Sequence, residues 1–297
     1  MRLRNLRYFL AVAEEKSFTR AASRVHIDPS PLSRAVRAIE ADMQVPLIHH
    51  RQGCLQLTRA GEAFREDARR ILAFVESVRA RVRAVDRGRE QLHIGLADHL
   101  AQPPLIRLLA RCREEEPLTE IKIHEMTVDE MAQALAHGWI DAGFTVHPEP
   151  GEALRKFAVW QDRFAVTLPR NHPLLSLESI PRREIVRWPI LLFHAESCPG
   201  GYDFVHQWLF KLPSSPKIAE GALSYEAMLM LAAAGYGIGV GLESQIALYK
   251  HPEVIVRPVA DAPMTATFLV TPNRPPSATL NHFVRRVQKI GHMTHSQ

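Results

Sequence analysis

The chain has 297 residues, 46% of them hydrophobic, which is longer than one ordinary domain and apolar enough for real cores. Three cysteines, Cys54, Cys112 and Cys198, stand far apart and odd in number, which argues against a disulfide framework or structural zinc, and no apolar run is long enough to span a membrane. Charge is uneven: residues 1 to 90 hold 18 Lys+Arg against 11 Asp+Glu, the remainder 19 against 21, the pattern of a polyanion-binding module joined to a near-neutral partner.

Residues 3 to 14 read as a first helix. Ser17 is set to cap a second, short one through Arg24, and Val25-His26-Ile27 makes a tight connection into a third. That third helix, "DPSPLSRAVRAIEAD", is the most informative stretch. Asp28 offers an N-cap. Pro29 and Pro31 fall in the first turn, where backbone N–H groups have no intrahelical partner and a missing donor costs little. The spacing predicts a helix beginning at Asp28 and running to about Asp42. Leu32, Val36 and Ile39 form its stripe for burial, while Ser30, Ser33, Arg34 and Arg37 share the opposite side with no acid among them. On its own that face is as consistent with a solvated basic surface as with contacts to phosphate and base edges. The neighbours decide. Helix, short helix, three-residue turn, helix is the plan of a helix-turn-helix whose last helix enters the major groove. "HHRQGCLQLT" then alternates around Leu55 and Leu57 with Gly53 at a turn, as a two-stranded wing does. Arg51 and Gln52 in that wing are expected to touch the adjacent DNA backbone.

A long helix is expected from Thr58 to about Gly88, roughly 45 Å at 1.5 Å per residue. Phe64, Ala68, Ile71, Val75, Val78, Val82 and Val85 recur at alternating spacings of 4 and 3, a heptad seam. The alternative is an amphipathic helix packed on its own domain; the unbroken period and the position between modules favour a partner chain, hence a homodimer. "RGRE", 87 to 90, makes a hinge.

From Gln91 the pattern alternates between strand and helix. "LHIGLA", "EIKIHEM", "DAGFTV", "DRFAVTLP", "WPILLF", "GYGIGVGL" and "ATFLVT" read as strands. Helices are expected at "PPLIRLLARCREEE" and at 128 to 137, 202 to 211, 224 to 234 and 278 to 290. Such alternation means βαβ units around mostly parallel sheets, and about 200 residues of it fit two small lobes. Ligands of such sheets bind beyond the carboxyl ends of strands and against helix N-termini.

The segments "LRYFLAVAEEKSFTRAASRVHI", "PLSRAVRAIE" and "LTRAG", with "GWIDAGF", "NHPL" and "AAAGYGIGV" further on, give the chain a resemblance to the LysR-type transcriptional regulators over essentially its whole length, most specifically in the N-terminal third. The resemblance implies a winged helix-turn-helix DNA-binding domain over 1–58, a linker and dimerisation helix with hinge over 59–90, and an α/β effector-binding domain over 91–297. The last is expected to be a periplasmic-binding-protein-like pair of lobes, lobe I about 91–164 and 271–297, lobe II about 165–270, with crossovers near Phe164–Leu168 and Thr265–Val270. It further implies a homotetramer built as a pair of dimers, promoter DNA and RNA polymerase as partners, and a small organic effector. Departures are visible: Pro29 stands where the family usually has a base-contacting glutamine, Ile48 and His50 where Phe and Arg are frequent, and Leu242 where a proline is frequent.

Strand ends and the same resemblance place the effector pocket. Asp98 and His99 follow the first strand of the C-terminal half, Thr127 follows the strand ending at Met126, and Phe144 and Thr145 end the "DAGF" strand. Phe193, with Gly201 and Tyr202 heading the next helix, faces them from the other lobe. For Phe144 and Phe193, packing of the lobes is the competing role. Relatives that bind aromatic carboxylates often place an arginine where Thr145 stands, so a carboxylate here has to rely on His99, helix N-termini or the backbone. The expected effector is small and partly aromatic or polar, with acidity open.

No catalytic set emerges. "GYGIGVG" follows a helix and lacks the strand–loop–helix context of a nucleotide loop, and "ESCPGG" is not a Gly-x-Ser-x-Gly elbow. Cys198 with His194 nearby reads as a loop cysteine rather than a nucleophile, and Glu114-Glu115-Glu116 as a solvated helix end. The fifteen histidines show no ligand spacing, His49-His50 included. The sequence therefore predicts no enzyme, no cofactor, no metal and no membrane, and, with no secretory signal at the N-terminus, a cytoplasmic location.

Overall fold

The computed structural model describes residues 1–51, 54–86, 90–147, 154–195, 198–209, 216–222 and 224–294. The chain divides into two compact units, Met1–Arg87 and Gly88–Gln297.

The first unit comprises α1 (Leu3–Glu15), α2 (Phe18–Arg24), α3 (Pro29–Met43), β1 (Ile48–Arg51), β2 (Cys54–Leu57) and α4 (Arg59–Asp86). Leu6, Phe9 and Val12 of α1, Ala21 and Ala22 of α2, and Leu32, Val36 and Ile39 of α3 are buried together as one core. The wing strands pair antiparallel, Ile48 opposite Leu57 and Arg51 opposite Cys54. Gln52, Gly53 and the hinge residues 87–89 lie outside the described residues, as do the side chains of Arg51 and Val85.

The start of α4 explains "LTRAG". Thr58 Oγ1 accepts the Gly61 N–H (2.9 Å) and donates to the Pro46 carbonyl (2.8 Å), while the Thr58 N–H donates to the Leu47 carbonyl (2.9 Å). A Cβ at Gly61 would meet that same Leu47 carbonyl oxygen, so only glycine lets the helix pass. The heptad seam divides in two. Phe64 and Ala68 are buried in their own chain's core, Phe64 edge-on to Phe9 at 5.0 Å, and Ile71 packs beside them. They are therefore not free to face a partner, and for this half the helix packs on its own domain. Farther on, Val78 and Val82 are 39% and 63% exposed.

The second unit holds two five-stranded sheets. Lobe I takes β3 (Glu90–Leu96), α5 (Pro103–Glu115), β4 (Thr119–Glu125), α6 (Val128–Ala136), β5 (Ala142–Thr145) and β6 (Leu154–Asp162). Lobe II takes β7 (Phe164–Pro169), α7 (Arg182–Ile185), β8 (Ile190–Phe193), α8 (Pro199–Leu209), β9 (Ile218–Ala222), α9 (Tyr225–Ala233), β10 (Ile238–Leu242), α10 (Glu243–Ile246) and β11 (Val254–Pro258). The chain then returns to lobe I through β12 (Thr265–Pro272) and α11 (Ala278–Thr294).

The sheet orders are β4-β3-β5-β12-β6 and β11-β7-β10-β8-β9. In each, two neighbouring pairs are parallel and two antiparallel, so the sheets are mixed rather than mostly parallel. The βαβ crossovers supply the parallel pairs, and strands at the chain crossings supply the antiparallel ones. This moves a boundary. Thr265–Val270 pair with β5 and β6 and belong to lobe I, and Phe164 opens lobe II, so the chain crosses at Arg163 and before Thr265. The strands β6, β9 and β11 are also absent from the sequence reading. One apolar cluster runs through both lobes, with Phe144, Trp160 and Phe283 on one side and Phe164, Ile190 and Val240 on the other.

Glu115 and Glu116 end α5 not in solvent alone but against α11. Arg286 donates to Glu115 (2.5 Å) and lies 2.7 Å from Glu116, and His282 reaches Glu116 at 2.9 Å. Hydrogen bonds from Arg286 and then Arg111 hold the Glu115 carboxyl at about 2.

Candidate nucleic-acid face and ligand cleft

In the first unit, local chemistry sets the helix-turn-helix. Ser17 caps α2, its side chain accepting the Arg20 N–H (3.4 Å). His26 turns the chain at φ +55°, a left-handed conformation that His adopts more readily than most residues. Asp28 occupies the N-cap position in extended backbone, but its side chain makes no capping hydrogen bond. Proline explains why the helix starts there regardless: Pro29 takes the first helical position with φ already fixed and Pro31 removes another donor that would have had no acceptor. At the other end Glu40 accepts the N–H groups of Leu47 (2.9 Å) and Ile48 (3.1 Å), so α3 itself fixes the root of the wing.

Ser30, Arg34 and Arg37 are exposed and Ser33 is half-buried. Among the described residues Arg2, Arg4, Arg59 and Arg83 also make no ion pair, while other arginines of the unit do. Arg7 pairs with Glu76, Arg24 with Glu14, Arg65 with Glu62, Arg69 with Glu14 and Arg79 with Glu76. Arg34 and Arg37 have no hydrogen bond or ion pair among the described residues. Two guanidinium forks thus stand unneutralised on one helix face.

In the second unit the eight residues expected to line the pocket separate into four groups. Asp98 is 2% exposed and accepts from the Thr145 hydroxyl (2.5 Å), the Val146 N–H (3.0 Å) and, across the lobes, the Gly200 N–H (3.1 Å). Asp98 and Thr145 are therefore an interlobe clasp, not a ligand surface. Asp98 holds φ +56° to reach it, and a Cβ at Gly200 would collide with the His147 backbone, which is why the "PGG" turn carries glycine there. Phe144 is wholly buried against Trp160 (5.3 Å) and Phe283 (6.3 Å), so packing is its role. Gly201, Tyr202 and Phe193 border a void of about 10 Å³, room for barely one water. Tyr202 also lies inside α8, which begins at Pro199, rather than heading it.

His99 and Thr127 do border a cleft, of about 410 Å³, between the lobes. Lobe I adds Glu125 and Glu130; lobe II adds Ser224, Tyr225, Glu226 and Tyr249, none of which the sequence reading selected. Four rings form a ladder along it: His99 to Phe193 (5.4 Å), Phe193 to Tyr225 (4.7 Å) and Tyr225 to Tyr249 (5.5 Å). Burial first, then Glu226 and Glu125, push the Tyr249 phenol above its ordinary value. Ser224 carried a usable signal, because Ser before a helical run reads as an N-cap and helix N-termini gather at such clefts. The rest had none, since Glu125 and Tyr249 meet only through the fold.

The lobes are joined behind this cleft by buried polar contacts. Gln102 donates to Asp162 (3.1 Å) and accepts from Trp160 and Thr267, Ser244 donates to Asp162, and Gln245 accepts the Ala101 N–H (3.1 Å). The Cys198 thiol is buried, and burial with the nearby Asp98 raises it far from a thiolate, the opposite of an activated nucleophile. Among the described residues no helix is long and apolar enough to cross a membrane.

Comparison with known proteins agrees with this geometry. Residues 3–62 match the model of the bacterial regulatory helix-turn-helix protein, lysR family, and residues 86–290 match the LysR substrate binding domain. The chain is similar to a probable cat1 operon transcriptional activator of Acinetobacter lwoffii, 32% identical over 81% of this chain and 80% of the relative. It is also similar to the Hca operon transcriptional activator HcaR of Escherichia coli, 28% identical over 97% and 98% of the two chains. Among solved structures, full-length CbnR complexed with its target DNA superposes with a TM-score of 0.81 at 26% identity, covering 98% of this chain and 100% of that one. The chain belongs to the LysR family of bacterial helix-turn-helix transcriptional regulators.

Proposed function

We propose that α3 reads DNA through Arg34 and Arg37, with Ser30 and Ser33 beside them, and that the cleft between the lobes takes a small organic effector which alters that binding. The observation that carries the reading is the pair of unneutralised guanidinium groups on one face of a helix whose other face is the domain core. A guanidinium fork fits the O6/N7 edge of guanine or a phosphate, and hydroxyls beside it add phosphate contacts that fix register. Arg51 and Gln52 of the wing complete the contact on the neighbouring backbone.

Two copies are required for a pseudo-palindromic site. The exposed Val78 and Val82 of the α4 seam, with the half-buried Val75 before them and Val85 beyond them, form the surface we assign to that pairing, with tetramers as pairs of such dimers. The protein acts on promoter DNA in the cytoplasm as a regulator rather than an enzyme. The second unit supplies the switch. A ligand touching both lobes favours whichever lobe arrangement it fits better, and can shift the equilibrium only by that difference in affinity.

Footprinting of the purified full chain on the DNA upstream of its own gene, with and without candidate small molecules, tests the reading. A protected, two-fold-related site whose extent changes with one compound is the expected result. Uniform, salt-sensitive coating of any DNA would overturn it.

A further inference from the structure

The cleft between the lobes is built for a cation. The groups by which such a site holds an anion are, apart from the imidazole of His99, absent from it or already used within the chain. No lysine or arginine is among the described residues bordering it. The position after the Gly143-Phe144 pair carries Thr145, buried and hydrogen-bonded to Asp98. The helix N-termini that gather there are filled: Thr127 Oγ1 accepts the Glu130 N–H while the Glu130 carboxylate accepts the Thr127 N–H, Ser224 caps α9 by accepting the Ala227 N–H, and α8 gives its Gly200 N–H to Asp98. An arriving carboxylate would have to displace a built-in acceptor at each of them.

Negative charge, by contrast, is left over. Glu125 at the end of β4 in lobe I and Glu226 in the first turn of α9 in lobe II border the same cleft, and neither has a hydrogen bond or ion pair among the described residues. Both raise the phenol of Tyr249, which borders the same cleft. Beside them lies the half-buried ring of Tyr249, stacked on the buried Tyr225 (5.5 Å), a surface suited to an ammonium or guanidinium group. The volume, about 410 Å³, suits a molecule of one ring or a short polyamine.

Resting on the reading of this cleft as the effector site, we propose that the effector is an organic cation, an amine or guanidine held between Glu125 and Glu226 against the Tyr225–Tyr249 pair. The two carboxylates sit on opposite lobes and repel across the cleft. A cation between them turns that repulsion into attraction and favours closure, which gives the ligand a differential affinity for the closed arrangement.

The test uses the full chain and charge-swapped probes: benzylamine and tyramine against benzoate and 4-hydroxyphenylacetate, with agmatine and spermidine as aliphatic cations. Calorimetric titration should show binding of at least one cation and no binding of the two acids. The E125Q/E226Q variant removes both charges from exposed side chains without other contacts, so its melting temperature should stay unchanged while affinity for that cation falls about tenfold or more. Cation binding unchanged in the variant, acids binding in place of amines, or no binding by any of the four cations would each overturn the proposal. The footprint distinguishes the ligand's charge from the regulatory role. Acids that bind and alter a specific footprint would sink the cation while leaving the regulator intact, whereas a chain with no specific footprint would remove the regulatory reading itself and the proposal with it.

Discussion

The recognition helix and the interlobe cleft use the same device with opposite sign. On α3 the chain leaves arginines without carboxylates although the unit holds enough acids to pair most of its other guanidiniums. In the cleft it leaves carboxylates without cations although Arg286, Arg163 and Arg111 elsewhere in that unit are all paired. Charge left without a partner on an exposed surface costs little stability and stays available to a ligand of opposite sign. The difference lies in construction. The first surface is one helix and can be edited one side chain at a time. The second is shared by two lobes and depends on the contacts that hold them in register.

DNA recognition should respond most strongly to a single substitution. Replacing Arg34 by Ala should cost ~1–3 kcal/mol per contact, doubled in a two-fold complex, and abolish the specific footprint with the fold intact by circular dichroism. Arg37→Ala should behave alike, and a normal footprint from both variants would remove α3 from the recognition surface.

On the cleft side the largest effect should come from the clasp. Asp98→Ala leaves the Thr145 hydroxyl and the Val146 and Gly200 N–H groups buried without an acceptor, at ~1–3 kcal/mol for each group left unsatisfied. Chemical denaturation should show the second unit's transition moved to lower denaturant while DNA affinity per folded molecule is kept. A transition at its original midpoint would mean the lobes are held in register by other contacts.

The assembly surface is expected to respond next. Val78→Asp places a charge in the exposed half of the α4 seam and should raise the dimer dissociation constant at least about tenfold in sedimentation equilibrium. Phe64→Ala, by contrast, should lower the stability of the first unit, because its ring packs on Phe9. Unchanged mass in solution for Val78→Asp would place the dimer contact elsewhere.

The smallest effect tests a charge that is paired. Glu115 is held at about 2, below its usual value near 4.5, so its contribution to stability is present above about 4.5 and fades as pH falls toward 2. Arg286→Ala should therefore lower the melting temperature by a few degrees at neutral pH, with the gap closing as the pH is taken down through that window. A gap independent of pH would mean that packing of the Arg286 stem, not its charge, joins α5 to α11.

What the sequence by itself determined is what depends on neighbours along the chain. The periodicity of Leu32, Val36 and Ile39, the proline start of α3 and the turn at 25–27 are local, and so the recognition helix, its exposed Ser/Arg face and the LysR family were legible before any fold was known. The heptad in α4 was equally legible, but period alone does not say which molecule lies opposite it. Only the tertiary structure decided that Phe64 and Ala68 meet their own chain and Val78 and Val82 do not. The cleft shows the same limit more strongly. Asp98 stood at the right strand end, yet whether it faced ligand or the Gly200 N–H depended on how closely α8 approaches β5, which no spacing encodes. Glu125, Glu226 and Tyr249 lie about 25 to 125 residues apart along the chain and border one cleft only because the chain crosses between the two sheets and sets one lobe against the other. A contiguous surface is written in order along the chain, whereas an assembled one is fixed by the long-range packing that brings its parts together.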